Sequence, residues 1–274
     1  MQPLLLLLAL LLPLGAGTEE IIGGHEVKPH SRPYMAFLQF LDNGKMKRCG
    51  SVLVHKYFVL TAAHCWGSSM RVILGAHNIK KQERTQQVIP VKTAIPHPDY
   101  KQNFSNDIML LKGREKTVQS HQGIQTPRPF SKLDCLASSH QLERKAKQTA
   151  TVKPLRLPES KNPVRPGQVC SVSGWGRVSM TTLATTLQEV SLEVQEDAIC
   201  ASLFPRYYSG ATQICVGDPE EMKTAFKGDS GGPLVCNNMV QGIFSYGKRN
   251  GTPPGVFMKV SHFLPWIKRT MKHL

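Results

Sequence analysis

The segment GlyAspSerGlyGlyPro at positions 228 to 233 decides how this sequence is interpreted. It places Ser230 among glycines, which let the backbone bend sharply and let N–H groups converge beside the hydroxyl. Two earlier segments supply the groups that a serine hydroxyl needs to act as a nucleophile. ThrAlaAlaHisCys (61 to 65) holds His64 between small residues, and AsnAspIleMetLeuLeu (106 to 111) sets Asp107 at the entrance of an apolar strand.

Together these segments predict a site for acyl transfer. That chemistry uses a hydroxyl nucleophile, an imidazole that takes and returns its proton, and a carboxylate that fixes the tautomer of the imidazole. Each segment alone is usually structural: a satisfied histidine, a turn before a strand, or a glycine loop. Because all three occur in the order His, Asp, Ser with these flanks, the sequence predicts a catalytic triad of His64, Asp107 and Ser230.

The rest of the chain after position 20 has the pattern of an all-β protein. Short apolar stretches alternate with stretches rich in Gly, Pro, Asn and Asp, which is typical of β-barrels. The predicted strands are 34–40, 51–54, 57–61, 71–75, 107–111, 169–173, 187–194 and 241–246. Only the C-terminal stretch from 261 has helical spacing. The Pro-rich stretch 153–166 is interpreted as a crossing between two halves.

The N-terminus has the features of a cleavable signal peptide. An apolar run, Leu4 to Leu14, is too short to span a membrane and is followed by small residues at 15 to 17. We therefore expect residues 1–18 to be removed in the secretory pathway and the mature chain not to span a membrane.

The composition is strongly basic, with 34 Lys and Arg against 19 Asp and Glu and a net charge of +15. Removal of residues 1–20 deletes Glu19 and Glu20 but no Lys or Arg, so the mature chain carries +17. Such a charge favours polyanionic partners. The basic residues are scattered and no nucleic-acid module is visible, so an anionic proteoglycan or glycosaminoglycan is the expected partner. A merely soluble basic surface is the alternative.

One segment breaks the strand pattern. Residues 113–141, 29 in all, are polar, begin just after the apolar run that ends at Leu111, and contain Cys135. They predict a long insertion. We interpret it as retained intron sequence of a variant transcript, with a true surface loop as the alternative. The main doubt it raises is whether the strand behind Asp107 can restart at Leu142.

The chain resembles the chymotrypsin-type serine proteases and, within them, the granzymes of cytotoxic lymphocytes. The resemblance runs from Ile21 to the C-terminus apart from 113–141. Besides the three segments above, it is carried by IleIleGlyGlyHisGlu from position 21, ValSerGlyTrpGlyArg around Trp175, and SerTyrGly at 245 to 247. It implies two six-stranded antiparallel Greek-key barrels with a C-terminal helix. The barrels would span 21–152 and 169–274, joined by a linker at 153–168.

The resemblance also implies how the site is completed and activated. The N–H groups of Gly228 and Ser230 would form an oxyanion hole. Residues 19–20 would be an activation dipeptide removed by a dipeptidyl peptidase, after which the new ammonium group of Ile21 would pair with Asp229. Such a pair should raise the pKa of the amine above its ordinary 7.7–8.0. The stabilisation is then complete below that range and is lost as pH rises through the folded pKa.

The cysteine count is odd. Family pairing implies Cys49–Cys65, Cys170–Cys236 and Cys200–Cys215, which leaves Cys135 over. Each bridge is expected to contribute about 2–4 kcal/mol.

The same resemblance implies which bond is cut. Thr224 falls at the floor of the specificity pocket, Gly247 and Gly255 fall on its walls, and the stretch Ser245–Tyr246–Gly247 would pair with substrate backbone. The pocket lacks an acid at its floor and an Arg at 255, and it resembles that of granzyme H more than that of granzyme B; cathepsin G is a further related protease. We therefore expect a preference for Phe and Tyr before the cut, with Leu and Met weaker. The remaining pocket residues are Ala225, Phe226 and Lys227, with Lys227 at the rim either favouring acidic substrate residues or simply solvated.

The remaining expectations concern modification and partners. Two sequons, at Asn103 and Asn250, predict glycosylation, with Asn103 in a surface loop favoured. No metal site and no cofactor are expected. Expected partners are protein substrates and serpin-type inhibitors, and the chain is expected to be a monomer. The competing interpretations are a catalytically impaired splice variant and a non-catalytic, basic antimicrobial or polyanion-binding homologue.

Overall fold

The computed structural model describes residues 23–113, 145–159, 163–179 and 181–274. The predicted signal peptide, the dipeptide at 19–20, Ile21, residues 114–141 of the insertion with Cys135, and Leu142 all lie outside the described residues. No helix among the described residues is long and apolar enough to cross a membrane.

The first half of the chain forms a closed six-stranded barrel. Its strands are β2 (Met35–Asp42), β3 (Lys45–His55), β4 (Phe58–Thr61), β5 (Ser68–Leu74), β6 (Gln87–Pro96) and β7 (Met109–Gly113). They pair antiparallel in the order β2-β3-β4-β7-β6-β5, and β5 closes the ring on β2. Asn43 and Gly44 join β2 to β3 with φ of 49° and 74°, the two-residue turn that an Asn-Gly pair favours.

The second half forms a seven-stranded antiparallel sheet. Its strands are β1 (His25–Glu26), β8 (Val169–Gly174), β9 (Gln188–Glu193), β10 (Gln213–Val216), β11 (Pro233–Cys236), β12 (Met239–Gly247) and β13 (Gly255–Lys259). Their order is β1-β9-β8-β11-β12-β13-β10, and a bridge between Val194 and Val216 brings the β9 and β10 sides together. The predicted all-β fold with two antiparallel units is thus confirmed. The seventh strand is the short β1, which the N-terminal segment adds along β9.

The helical content exceeds the prediction. The C-terminal helix, α2 (Val260–His273), is present, but a second helix, α1 (Asp197–Leu203), lies between β9 and β10. The expectation of a single helix was therefore wrong. Helix α1 is only seven residues long and buries only Cys200 fully, so its apolar period is too short to detect. Helix α2 packs Phe263, Trp266 and Ile267 into the same buried cluster as the first barrel.

The strand that follows Asp107 is formed as far as Gly113, and the predicted restart at Leu142 lies outside the described residues. β7 continues past Leu111 through Lys112 and Gly113 and pairs with both β4 and β6, so Gly113, which was assigned to the insertion 113–141, belongs to the strand. The Gly113 N–H donates to the Tyr57 carbonyl at 3.3 Å, and the Ala146 N–H donates to the Lys56 carbonyl at 3.0 Å. Gly113 and Ala146, which lie on the two sides of the insertion, are thus both bonded to the turn between β3 and β4.

Candidate active site

His64 and Asp107 are brought together by the first barrel. His64 lies in a 3₁₀ turn, Ala63–Cys65, directly after β4, and Asp107 lies two residues before β7, the neighbour of β4. The ring Nδ1 of His64 is 2.7 Å from Asp107 Oδ2, and the His64 N–H donates to Asp107 Oδ1 at 2.8 Å. The carboxylate is fully buried, while a quarter of the His64 side chain is exposed. One side of the imidazole is therefore fixed and the other is open to solvent.

Ser245 supplies a third contact to the same carboxylate. Its hydroxyl donates to Asp107 Oδ2 at 2.5 Å, although Ser245 belongs to β12 of the second sheet. The sequence assigned Ser245 to substrate binding through its backbone and gave no sign of this hydroxyl contact. Asp107 thereby ties the two halves of the molecule together.

Ser230 lies in a tight turn just before β11 and is held against the first barrel. Its carbonyl accepts from the Gly50 N–H at 2.8 Å and lies 3.8 Å from the Cys65 sulfur, next to His64 in the chain. A Cβ at Gly231 would lie 2.1 Å from the Thr61 hydroxyl, so only glycine permits this approach. No hydrogen bond joins the Ser230 hydroxyl to the His64 ring among the described residues. Such bonds often form only in complexes with substrate.

The backbone on either side of Asp229 leaves two amides available. Gly228 has φ of 104°, a conformation that glycine adopts readily. Among the described residues, neither the Gly228 N–H nor the Ser230 N–H donates to another protein group. Both amides can therefore serve an external oxygen.

Asp229 is the second fully buried carboxylate of the site. It accepts from the Gly176 N–H at 2.8 Å and from the Phe226 N–H at 3.0 Å. Burial raises its pKa to about 6, and the two amides and the charge of Arg48 only partly oppose this. Gly174 and Gly176 make room for the carboxylate, since a Cβ at either would come within 2.5 Å of its oxygens.

The first described residue of the N-terminal segment, Gly23, lies against residues 222 and 223. A Cβ at Gly23 would lie 2.6 Å from Lys223 Cγ and 2.7 Å from the Met222 carbonyl. Ile21, two residues earlier, lies outside the described residues, so its predicted pairing with Asp229 stays a prediction.

Four of the predicted pocket residues, 224 to 227, form the segment of chain just before the Ser230 turn. Thr224, Ala225 and Phe226 are all buried, and the Thr224 hydroxyl donates to the Ala225 carbonyl at 2.9 Å. Lys227 is exposed, and its ammonium lies 5.5 Å from the centre of the Phe226 ring. The positive charge of Lys227 therefore lies over the face of the Phe226 ring.

The two predicted wall glycines face each other across paired strands. Gly247 of β12 pairs with Gly255 of β13. The ring of Phe244 lies against both, and sequence reasoning missed it. Phe244 had been counted only as part of the strand 241–246.

Three aromatic side chains continue from His64, and two of them, Phe104 and Phe204, were not predicted as part of the site. The Phe104 ring meets the His64 ring edge-on at 5.9 Å, Tyr246 follows at 5.1 Å from Phe104, and Phe204 at 5.4 Å from Tyr246. Tyr246 had been assigned to the substrate edge. The only sequence signal at Phe104 was its place in the sequon of Asn103.

Both sequons are accessible. Asn103 and Asn250 are exposed, and their side-chain carbonyls accept from Ser105 N–H and from the Thr252 hydroxyl. Their glycosylation stays a prediction.

The three implied disulfides are present: Cys49–Cys65, Cys170–Cys236 and Cys200–Cys215. Cys49, Cys65 and His64 form the one group of potential metal-binding side chains among the described residues. Because both sulfurs are engaged in the disulfide, this group lacks the thiolates that a metal would need.

Comparison with known proteins agrees with this geometry. The sequence profile of the family "Trypsin" matches residues 21–267. The chain is 65% identical to human Granzyme H, with all of both chains covered, and 57% identical to human Granzyme B, with 99% of each covered. It is 52% identical to human Cathepsin G, over 99% of this chain and 95% of that protein. A solved structure described as "Structure of GrC" has a TM-score of 0.79 at 49% identity and covers 92% of this chain and 100% of that one.

The chain belongs to the trypsin family and is a serine endopeptidase of the chymotrypsin type. Within that family it is of the granzyme type, as the resemblance implied.

Proposed function

We propose that this endopeptidase cleaves peptide bonds through an acyl-enzyme in which Ser230 is the nucleophile, His64 the general base and acid, and Asp107 the group that orients His64. The observation that carries the proposal is the buried Asp107 carboxylate, which holds the His64 ring at 2.7 Å while a quarter of the His64 side chain stays exposed. The Gly228 and Ser230 N–H groups stabilise the oxyanion. Loss of one such donor typically costs about 10²–10³ in rate.

Activation follows from the environment of Asp229. A carboxylate that is fully buried and accepts two amides gains most from a neighbouring cation. We propose that removal of residues 19–20 frees the Ile21 ammonium group to pair with it, which orders the Gly228 to Ser230 backbone. Gly23 lies against Met222 and Lys223, in the segment that leads to Asp229.

The proposed substrate has an apolar residue before the cut. The pocket segment is lined by buried, uncharged side chains, Thr224, Ala225 and Phe226, with glycines at 247 and 255. None of these five residues is charged, so neither a basic nor an acidic substrate side chain finds a counter-ion among them. We propose Phe and Tyr as preferred residues and Leu and Met as weaker ones.

The proposed setting is the lumen of cytotoxic granules, with release outside the cell and a role in killing by lymphocytes. Support comes from the predicted signal peptide and from the granzyme relatives. The net charge of +15 supports storage or retention on anionic proteoglycans. The further partners that we propose are an activating dipeptidyl peptidase and serpin-type inhibitors, and the proposed state is a monomer.

The triad is tested by labelling with a serine-reactive phosphonate after removal of residues 1–20. We expect wild type and Ser191→Ala to be labelled and Ser230→Ala not, since Ser191 is an exposed residue of β9. Labelling of Ser230→Ala would reject the nucleophile. Soluble wild-type protein that binds heparin but is not labelled would indicate a non-catalytic homologue, and recovery of insoluble protein only would indicate an impaired variant.

The substrate preference is tested with a fluorogenic peptide library varied at the residue before the cut. We expect cleavage after apolar residues, with Phe and Tyr foremost. A preference for Asp, Lys or Arg would reject the proposed pocket.

A further inference from the structure

We infer that Phe244 sets the far end of the specificity pocket and thereby determines how well the longest apolar side chain, Tyr, is accepted relative to Leu. This inference rests on the proposed apolar pocket and concerns the order of preference within it. Glycine on both walls usually leaves a specificity pocket open along its whole depth. In this protein the Phe244 ring reduces that depth.

The position of the ring follows from the two glycines. A Cβ at Gly255 would lie 3.0 Å from Phe244 Cε2, and a Cβ at Gly247 would lie 3.9 Å from Phe244 Cζ. Gly247 and Gly255 also lie close across the strand pair, because a Cβ at Gly247 would be 3.7 Å from the Gly255 Cα. The ring therefore occupies space that the absence of two side chains would otherwise leave open.

The ring is held where it is. Phe244 is 4% exposed, and its ring packs at 5.1 Å and 50° on the ring of Phe257. Its N–H donates to the Gly232 carbonyl at 2.9 Å, and its carbonyl accepts from Gly231 N–H at 2.8 Å. The Phe244 backbone is thus bonded to the two residues that follow Ser230. Moving the ring aside for a long substrate would disturb the nucleophile turn or the packing on Phe257.

Because the pocket is apolar, the Phe244 ring should discriminate substrates by the length of the side chain before the cut. Apolar pockets discriminate by roughly 10–200-fold for a single methylene group that does or does not fit. A ring that ends the pocket should therefore reduce the preference for Tyr, whose hydroxyl reaches furthest, over Leu, compared with the same pocket without the ring. A purely structural Phe244 would instead affect all substrates equally.

The first test compares two peptides that differ only in having Leu or Tyr before the cut. For each variant both peptides are measured with the same preparation, so the fraction of active enzyme cancels in the ratio of the two kcat/KM values. We expect Phe244→Val to raise the Tyr-to-Leu ratio of kcat/KM by about tenfold or more, and Phe244→Leu, which removes less volume, to raise it less. Phe263→Val, the same exchange at a buried position of α2, should leave the ratio unchanged.

The second test uses Gly255→Ala, whose added methyl group would meet the Phe244 ring in wild type. We expect the loss of kcat/KM on the Leu peptide to be several-fold smaller in the Phe244→Val background than in wild type, because residues in contact are not additive. An unchanged Tyr-to-Leu ratio together with additive losses would overturn the assignment of Phe244 while leaving the apolar pocket standing. Cleavage only after charged residues would instead reject the pocket itself.

Discussion

Two carboxylates, those of Asp107 and Asp229, are fully buried within this active site, yet their surroundings differ. Asp107 faces the His64 ring, the His64 N–H and the Ser245 hydroxyl, donors that come from both halves of the molecule. Among the described residues, Asp229 accepts from two backbone amides alone, those of Gly176 and Phe226, both within the second half. Burial raises its pKa to about 6.

The two carboxylates thus differ in when their surroundings are completed: those of Asp107 on folding, and those of Asp229, as we propose, only after cleavage. Folding alone brings Asp107 its side-chain partners, because the turn after β4 and strand β12 carry them to it. The partner that we propose for Asp229 is a cation at the start of the cleaved chain, which folding alone does not create. The arrangement around Asp107 should therefore be the same before and after cleavage, whereas that around Asp229 should change.

The largest expected effect is that of Asp107→Asn. An amide at 107 would present an N–H to the His64 ring and favour the wrong tautomer, an exchange that costs about 10⁴ in kcat in the well-studied serine proteases. We expect a similar loss here. Asp42→Asn, at a surface aspartate paired with Lys47, is the matched control and should retain full activity. A loss below tenfold at position 107 would mean that His64 is oriented by other groups.

Asp229→Asn should have the next largest effect, and one of a different kind. Removing one partner of a buried ion pair costs roughly 3–5 kcal/mol, so we expect kcat/KM of the cleaved chain to fall by between about 10²-fold and about 4 × 10³-fold. The decisive comparison is the gain on removing residues 19–20. Wild type and Asp107→Asn should both gain activity, whereas Asp229→Asn should not. Equal gains in all three proteins would contradict the proposed pairing.

The uncleaved chain should show a pH dependence of stability that comes from Asp229. Its folded pKa of about 6 lies above the ordinary 3.8, so the folded state holds the proton more tightly than the unfolded state. Stability should therefore fall as pH rises from about 4 to about 6, by on the order of 3 kcal/mol. Denaturant unfolding of the uncleaved wild type and of Asp229→Asn over this range measures the difference.

In the cleaved chain the Ile21 ammonium should lower the pKa of Asp229 and remove that loss. Instead, stability and activity should decline at alkaline pH, as the amine loses its proton above its ordinary pKa. Identical profiles for cleaved and uncleaved protein would show that no cation joins Asp229.

The smallest effect is expected for Ser245→Ala. The variant loses one hydrogen bond to a charged group, worth about 1.5–3 kcal/mol, while both contacts to His64 remain. We expect kcat to fall roughly tenfold with little change in KM. Ser51→Ala is the control, because its buried hydroxyl donates to the neutral Ala36 carbonyl in the first barrel. A loss as large as that of Asp107→Asn would mean that Ser245 is needed to keep the carboxylate in place.

Much of the site was accessible from the sequence because its residues lie in short segments with distinctive neighbours. His64 and Asp107 are brought together as predicted, and the glycines around Ser230 permit the close approach to Thr61. The contacts made by Ser245 and Phe104 were not accessible. They depend on where β12 and the loop before Asp107 cross, and no local pattern encodes that crossing.

The energetic cost of the insertion was likewise not accessible from the sequence alone. From the sequence, a polar stretch after Leu111 placed the strand behind Asp107 in doubt. In the fold, Gly113 and Ala146 bond to adjacent carbonyls, those of Tyr57 and Lys56. When the two ends of a stretch are already held together, its length adds little to the cost of closure, about 0.6 kcal/mol per doubling.

By itself, the sequence determined the all-β class, the three segments of the acyl-transfer site and an uncharged pocket segment, because each depends on residue type and on near neighbours in the chain. Only the tertiary structure decided that Asp107 joins both halves through Ser245, that Asp229 lacks a charged hydrogen-bond partner among the described residues, and that the Phe244 ring lies against both wall glycines. These features arise where distant strands pack, and the space and charge there are set by residues far apart in the sequence.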